Sequence, residues 1–404
     1  MTDEPAPAGA GTPATLRTRT LAMPDLPFTA VAHRGEPPET GTETLLLVER
    51  SLSFGAVRVA LEDARVAGIV VGDPYVPDHA RKMLREGGKA LVRCDEDLSA
   101  VVDGARYQVD EHGLIDLGRL PVPVSAICSY FTDDTERLYQ RWNVRDVGYF
   151  RLKFCLFRLY AEEPSAYAKP DLIADQLTGE LERLARRGWR RVRLVLSDPT
   201  TSELRELGID VPREANPELG ARGPREAQRW WPELQAIDAL LRAHPELEVE
   251  VSIPFVSSIA EYELVADMVR TEGLTGRIRL GFTLEVPAMV YALPELMARC
   301  RPAFVAVGTS DLFAFVNAID RSHSTLKVDP FSAVNRQVVT QIATAAAELG
   351  VPFFFCGELR HSPAALREFV ARGCTELIAG PSAIELARMV RASAERKQDG
   401  ERVP

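Results

Sequence analysis

Downstream of residue 123 the chain repeats one rhythm: a short apolar run, a polar loop, then a longer segment with helical spacing. The apolar runs are "VSAICSYF" (124–131), "DVGYFRLKF" (146–154), "RRVRLVL" (190–196), "LEVEVSIPF" (247–255), "RIRLGFTLEV" (277–286), "PAFVAVGT" (302–309), "VPFFFC" (351–356) and "TELIAG" (375–380). Runs of this length and composition predict buried strands, whereas "NRQVVTQIATAAAEL" (335–349) and "SPAALREFVARG" (362–373) place apolar residues three and four apart, as a helix face does. Eight strands alternating with helices predict an α/β fold, a closed (β/α)8 barrel of the TIM type. An open doubly wound sheet fits less well, because no Gly-rich phosphate loop follows any strand.

Upstream the rhythm differs. Between Phe28 and Gly118 short runs such as "TLLLVE", "VAGIVVGD", "KALVRC" and "ARYQVDEHGLIDLG" alternate with turn signals, among them Asp103-Gly104 and His112-Gly113. This predicts a small α/β or β-rich domain over residues 27–118. The boundary falls in "LGRLPVPV" (117–124), and the barrel is expected over 119–398. Residues 1–26, rich in Pro, Ala, Gly and Thr, are expected to be disordered.

Composition narrows the function classes. With 46% hydrophobic and 26% charged residues the 404-residue chain is globular, and no apolar run is long enough to span a membrane. A net charge of −10 argues against a nucleic-acid partner, which demands a basic face. The six cysteines (94, 128, 155, 300, 356, 374) show neither CxxC nor any metal-ligand spacing. They read as reduced thiols, and with no secretory-signal pattern at the start the expected location is the cytoplasm.

Active sites of parallel barrels form where strands end. The tips of the candidate strands carry Arg151, Arg193, Glu285, Asp311 and Cys356. For any one of them a structural salt bridge is as good a reading as function; for several on one face, function is the better one. "TLEVP" and "GTSDL" each put a carboxylate just past a strand, a donor set suited to a hard cation such as Mg2+. Arg151, Arg193, Arg222 and Arg321 would then clamp an anion. "RWW" (229–231) reads as a packed helix face, and His323 as a loop residue near the mouth.

In series, "VGYFRLKF", "VRLVLSD", "ANPELGARGPR", "IPFVSSIAEYELV", "GFTLEVPAM", "VGTSDLFAFVNAIDR", "FFCGEL" and "LIAGPSAI" resemble the C-terminal barrel of the phosphoenolpyruvate-utilising enzymes. That family includes enzyme I of the sugar phosphotransferase system, phosphoenolpyruvate synthase and pyruvate phosphate dikinase. The pieces keep the family's order across about 275 residues. The resemblance implies that Arg151, Arg193, Arg222 and Arg321, with Ser310, hold phosphoenolpyruvate, and that Glu285 and Asp311 bind Mg2+. It implies that Cys356 exchanges a proton with the methyl carbon of pyruvate, and that the barrels pair as dimers.

Several motifs depart from the family pattern. Arg-Thr-Glu-Phe is Arg151-Leu152-Lys153-Phe154, and the Asn before the metal-binding Asp is Ser310. The Asp-Ile-Gly-Gly-Asp-Lys loop is "VLSDPTT", and Ala-Gly-Asp after Cys-Gly-Glu-Leu is Arg360-His361-Ser362, where substrate choice is expected to lie. The upstream domain resembles, more faintly, the family's swivelling phosphohistidine domain. Its Gly-Gly-x-Thr-Ser-His loop is replaced by Pro74-Tyr75-Val76-Pro77-Asp78-His79. His79 is either phosphorylated in an altered loop or a surface residue of a decayed one, and the lost glycines weigh toward the latter.

Three functions remain open: a phosphoenolpyruvate-dependent phosphotransferase acting through His79 on a small-molecule or protein acceptor, a barrel-only enzyme acting on a pyruvate-like enolate, and a non-catalytic metabolite-binding regulator. No segment within the 404 residues resembles the family's ATP-binding domain or its carrier-docking helical insert. The retained thiol speaks for the two enzymes.

Overall fold

A computed structural model describes residues 16, 18–22, 28–38, 40, 41, 43–95, 97–110, 113–117, 122–128, 132–321, 323–357 and 363–394. The chain divides into two compact units, one ending at Pro121 and joined by Arg141–Asn143, the other formed by Val122–Gln140 and the residues from Val144 on. Among the described residues no helix is long and apolar enough to cross a membrane.

The first unit is a seven-stranded sheet with two helices. Its strands are β1 (Thr18–Ala22), β2 (Phe28–His33), β3 (Leu45–Glu49), β4 (Val66–Val71), β5 (Ala90–Cys94), β6 (Arg106–Asp110) and β7 (Gly113–Asp116). Helices α1 (Phe54–Glu62) and α2 (Asp78–Glu86) lie between β3 and β5 in sequence. The order is β1-β5-β4-β3-β2-β6-β7, parallel from β5 to β2 and antiparallel at either side. Alternation explains the continuous apolar strands: Leu46 and Val48 of β3 join one core, Leu45 and Leu47 the other, which packs against α1 and α2. One expectation fails here. Residues 18–22, within the stretch read as disordered, form a strand, because Thr18 and Thr20 register with Cys94 and Val92 of β5.

The second unit is a closed barrel of eight parallel strands: β8 (Val124–Cys128), β9 (Asp146–Arg151), β10 (Arg191–Val195), β11 (Glu248–Ile253), β12 (Arg279–Leu284), β13 (Val305–Gly308), β14 (Phe353–Cys356) and β15 (Leu377–Ala379). Every expected strand is present, each shorter than its apolar run, and several runs continue past the strand end. After β9, for example, Leu152-Lys153-Phe154 already opens a helix. The helices are α3 (Asp133–Arg141), α4 (Leu152–Glu162), α5 (Pro170–Ala185), α6 (Thr201–Glu206), α7 (Trp231–Ala243), α8 (Ile259–Thr271), α9 (Pro287–Cys300), α10 (Thr309–Val316), α11 (Ala333–Leu349), α12 (Pro363–Ala371) and α13 (Ala383–Ala394).

The barrel interior is polar low down. Arg193, 2% exposed, donates to the Gly148 carbonyl at 2.7 Å and pairs with Glu250 at 2.6 Å and Glu376 at 2.9 Å. Its guanidinium also lies over the Phe354 ring at 3.9 Å. Arg191 pairs with the same two glutamates and with Asp146. Burial alone would push the Glu376 carboxyl up, but Arg193 and Arg191 outweigh it and hold the pKa below the ordinary value. Arg193 therefore ties four strand segments together. Removing it takes one of the cations from two buried carboxylates, so Arg193→Met is expected to cost about 3–5 kcal/mol. Urea unfolding would show a lower midpoint at unchanged slope; an unaltered midpoint would contradict the assignment.

Candidate active site at the barrel mouth

The strand tips converge on a cleft of about 400 Å³. Arg151 is the last residue of β9, and Cys356 the last of β14, in register with Gly308 of β13. Glu285 follows β12, while Ser310 and Asp311 sit in the first turn of α10. All of these line the cleft with Tyr149, Arg222 and Arg321. Glycine is required at two points in its wall. A Cβ at Gly308 would stand 2.9 Å from the Glu285 carboxylate, and Gly357 has a φ of 111° with Thr309 Oγ1 where its Cβ would be.

Arg193 is the exception, and the substrate-holding role expected of it fails. On β10 the residues Arg191, Arg193 and Val195 alternate onto the barrel interior, and Val195 is the one that registers with Arg151 and lines the cleft. Arg193 lies two residues deeper, paired with Glu250 and Glu376.

The cleft's charges hold one another. Arg222, buried between the α6 and α7 regions, reaches Asp198 at 2.5 Å, Glu218 at 3.0 Å and Asp311 at 3.5 Å, with its guanidinium over the Phe255 ring at 4.2 Å. Arg321 binds Asp311 at 2.6 Å. Lys153 lies 3.5 Å from Asp198 and 3.3 Å from Glu203. Arg151 makes no hydrogen bond or ion pair among the described residues; it rests over the rings of Tyr149 and Phe154 at 5.2 Å and 5.7 Å. Glu285 accepts the Phe255 amide at 2.7 Å. Phe255 takes a φ of 54°, a left-handed conformation that costs a non-glycine residue free energy and aims this N–H at the carboxylate. Burial, then the charges of Asp311 and Asp198, push the Glu285 carboxyl up to about 8.

The Cys356 thiol donates to the Val307 carbonyl at 3.5 Å. Tyr149 lies at the cleft floor with its hydroxyl 3.4 Å from Thr283 Oγ1, and burial, with Cys356 and Glu285 nearby, raises its pKa well above the ordinary value.

Four of these residues escaped the sequence reading. Lys153 and Asp198 were visible only as departures from a motif, and Tyr149 and Glu203 carried no signal. The Asp198 loop is anchored from behind: Glu233 of α7 accepts from the Ser197 amide at 2.9 Å and from its hydroxyl, and Trp230 donates to the Ser197 carbonyl at 2.7 Å. His323 is a loop cap, with Nδ1 accepting from Leu326 at 3.0 Å. Arg360, His361 and Ser362 lie outside the described residues. His79 belongs to the first unit, exposed on the first turn of α2, its ring stacked on Phe54 at 5.3 Å.

A parallel barrel with a charged cleft over the C-terminal strand ends is the architecture of a barrel enzyme. Residues 146–396 match the family described as PEP-utilising enzyme, PEP-binding domain, and the chain belongs to that family. It is 28% identical over 365 residues to a probable phosphoenolpyruvate synthase of Archaeoglobus fulgidus, covering 82% of this chain and 48% of the relative. It is 26% identical over 397 residues to a phosphoenolpyruvate-dependent phosphotransferase system protein of Salmonella typhimurium, covering 84% and 50%. The chain thus spans about half the length of these curated relatives. A pyruvate kinase structure from Pyrobaculum aerophilum aligns over 67% of this chain and 71% of its own at 13% identity and a TM-score of 0.41, a likeness that says nothing of chemistry.

Burial pushes the Glu233 carboxyl up to about 8 from an ordinary 4.5, against the lowering effect of the Ser197 hydrogen bonds. The folded chain then keeps a proton that the unfolded chain releases, so stability is lost as pH rises between those two values. Glu233→Gln, neutral at any pH, is expected to flatten part of that decline in urea unfolding from pH 5 to 8. Identical pH slopes for the two proteins would count against the buried, protonated Glu233.

Proposed function

We propose that the barrel binds phosphoenolpyruvate and transfers its phosphoryl group, leaving a pyruvate enolate to be protonated at the mouth. The observation that carries this reading is the content of one cleft: Arg151 without an ion pair, the buried carboxylates of Glu285 and Asp311, and the Cys356 thiol. Arg151, Arg222 and Arg321 supply the fixed cationic field that a phosphorylated carboxylate requires.

Magnesium fits the donor set. Burial, and then the charges of Asp311 and Asp198, raise the Glu285 pKa, and a hard divalent cation would relieve that repulsion. Glu285 and Asp311 would hold it, and when bound it supplies neutralisation of charge on phosphoryl and enolate oxygens. As the P–O bond breaks, both electrons stay on the enolate oxygen, within reach of the arginine field. The methylene carbon then takes the thiol proton of Cys356, leaving a thiolate. A thiol with a reference pKa of about 8.5 is a competent acid near neutrality.

His79 is the chain's own candidate acceptor for the phosphoryl group, being exposed at a helix N-terminus whose Pro77 offers no side-chain cap. A second reading keeps the enolate chemistry without this relay. The Asp78 carboxylate beside His79 and the Phe54 ring stacked on its imidazole both favour it.

Intact-mass measurement after incubation with phosphoenolpyruvate and Mg2+, alongside pyruvate release, separates these readings. A one-phosphoryl gain lost in His79→Ala supports the relay. Pyruvate methyl exchange in deuterated water without mass gain supports the second reading. Binding alone, with neither signal, would sink both. Cys356→Ala is expected to slow methyl exchange by about 10²–10⁴-fold with phosphoenolpyruvate binding retained. Glu285→Gln with Asp311→Asn should abolish the Mg2+ dependence of binding.

A further inference from the structure

A second cavity, of about 560 Å³, borders the mouth cleft and is larger than it. Leu156 and Tyr160 of α4, Ile173 of α5, Leu204 of α6, and Pro212 and Trp230 form much of its wall. Size and lining are those of small-molecule sites, mostly apolar with a few placed polar groups. The two spaces share the Ser197–Thr201 loop: Ser197, Pro199 and Thr201 face the second cavity, and Asp198 faces the first. Arg222 lines both.

Two polar groups on this cavity's wall lack a hydrogen-bond partner among the described residues, the Arg222 Nε and the Tyr160 hydroxyl. Tyr160 is only 3% exposed, yet its hydroxyl makes no hydrogen bond among the described residues. A hydroxyl on a cavity wall with no protein partner is a donor that a ligand oxygen can meet. Nearby Glu233 is hydrogen-bonded to the Ser197 amide and hydroxyl. Tyr167 meets Tyr160 edge to face at 5.6 Å, with the Arg229 guanidinium over its ring at 4.0 Å. At the rim, Arg229 is already paired with Glu226. A ligand here meets mostly apolar walls and the Tyr160 hydroxyl, while the charged side chains of the wall are engaged, Arg222 by Asp198 and Glu218, and Glu214 by the Thr201 hydroxyl and the Ala221 amide.

We propose that this cavity is a second small-molecule site, taking a compact uncharged compound with an aryl or branched aliphatic body and a carbonyl oxygen that accepts from Tyr160. Its occupant touches the back of the Ser197–Thr201 loop, and so bears on Asp198 and Arg222 at the mouth. The site is independent of the substrate proposed for the cleft.

The test uses 4-fluoroacetophenone as the probe on the full chain, read by its fluorine resonance. Wild type is expected to give saturable line broadening. Tyr160→Phe, which keeps the shape, should weaken binding about three- to tenfold, the worth of one neutral hydrogen bond. Ala168→Trp, at the exposed rim, should abolish it. Amide hydrogen exchange over residues 197–201 should slow with the probe in wild type and not in Ala168→Trp. Absence of saturable binding up to the probe's solubility limit, or equal binding by Ala168→Trp, overturns the site. Unchanged exchange in the loop overturns its link to the mouth. No step uses phosphoenolpyruvate, so this result and that of the function test stand apart.

Discussion

Arg193 is the constraint on which the barrel is built. A guanidinium that deep survives only if every charge around it is answered, and Glu250, Glu376 and the Gly148 carbonyl answer it from β11, the segment entering β15, and β9. The lower barrel is thereby committed to an ionic plug in place of the layers of branched aliphatics that usually fill such interiors. The next level holds Tyr149, Ser252 and Thr283, with the Ser252 and Thr283 hydroxyls 2.9 Å apart. Only above them does the interior open into a cleft, where all remaining inward-facing polarity is concentrated.

That concentration explains the behaviour of the mouth. Arg222 is the hinge of its electrostatics, because one buried guanidinium answers Asp198, Asp311 and Glu218. Carboxylates and cations are packed together there, with Asp198 and Asp311 among the neighbours of Glu285. Glu285 shows the result, with its carboxyl raised although Arg222 and the Phe255 amide both favour the charged form. The left-handed Phe255 backbone is part of the same arrangement, since it supplies the amide that fixes the carboxylate's position.

Much of this was legible in the sequence. The β/α rhythm from Val124 onward predicted all eight barrel strands, because parallel strands buried on both faces read as plain apolar runs. Glu285, Asp311, Cys356 and Arg151 were found because strand tips can be read from where such runs stop, whereas Arg222, Arg321 and Ser310 came with the family resemblance. Arg193 misled for an instructive reason. Its run continues to Leu196, so the tip lay two residues further on, and the inward partners Glu250 and Glu376 were hidden inside other strands. The strand at Thr18–Ala22 was missed because its stability comes from pairing with β5, which composition does not record. Lys153 and Asp198 were noticed as departures, but their meeting across the β9 and β10 loops is a tertiary fact.

Lys153 and Asp198 also show how the cleft compensates. With Val195 at the tip of β10, that strand contributes no cation to the mouth, and Lys153 brings one from the neighbouring element instead. The cleft then holds Arg151, Lys153, Arg222 and Arg321 against Asp198, Glu203, Glu285 and Asp311, a lining of balanced sign once Glu285 is ionised. A multiply charged anion entering alone would tip that balance, and a divalent cation alone would tip it the other way. Arriving together, they leave it nearly unchanged. Because desolvated charge is expensive, a neutral lining of this kind binds anion and cation cooperatively or binds neither well.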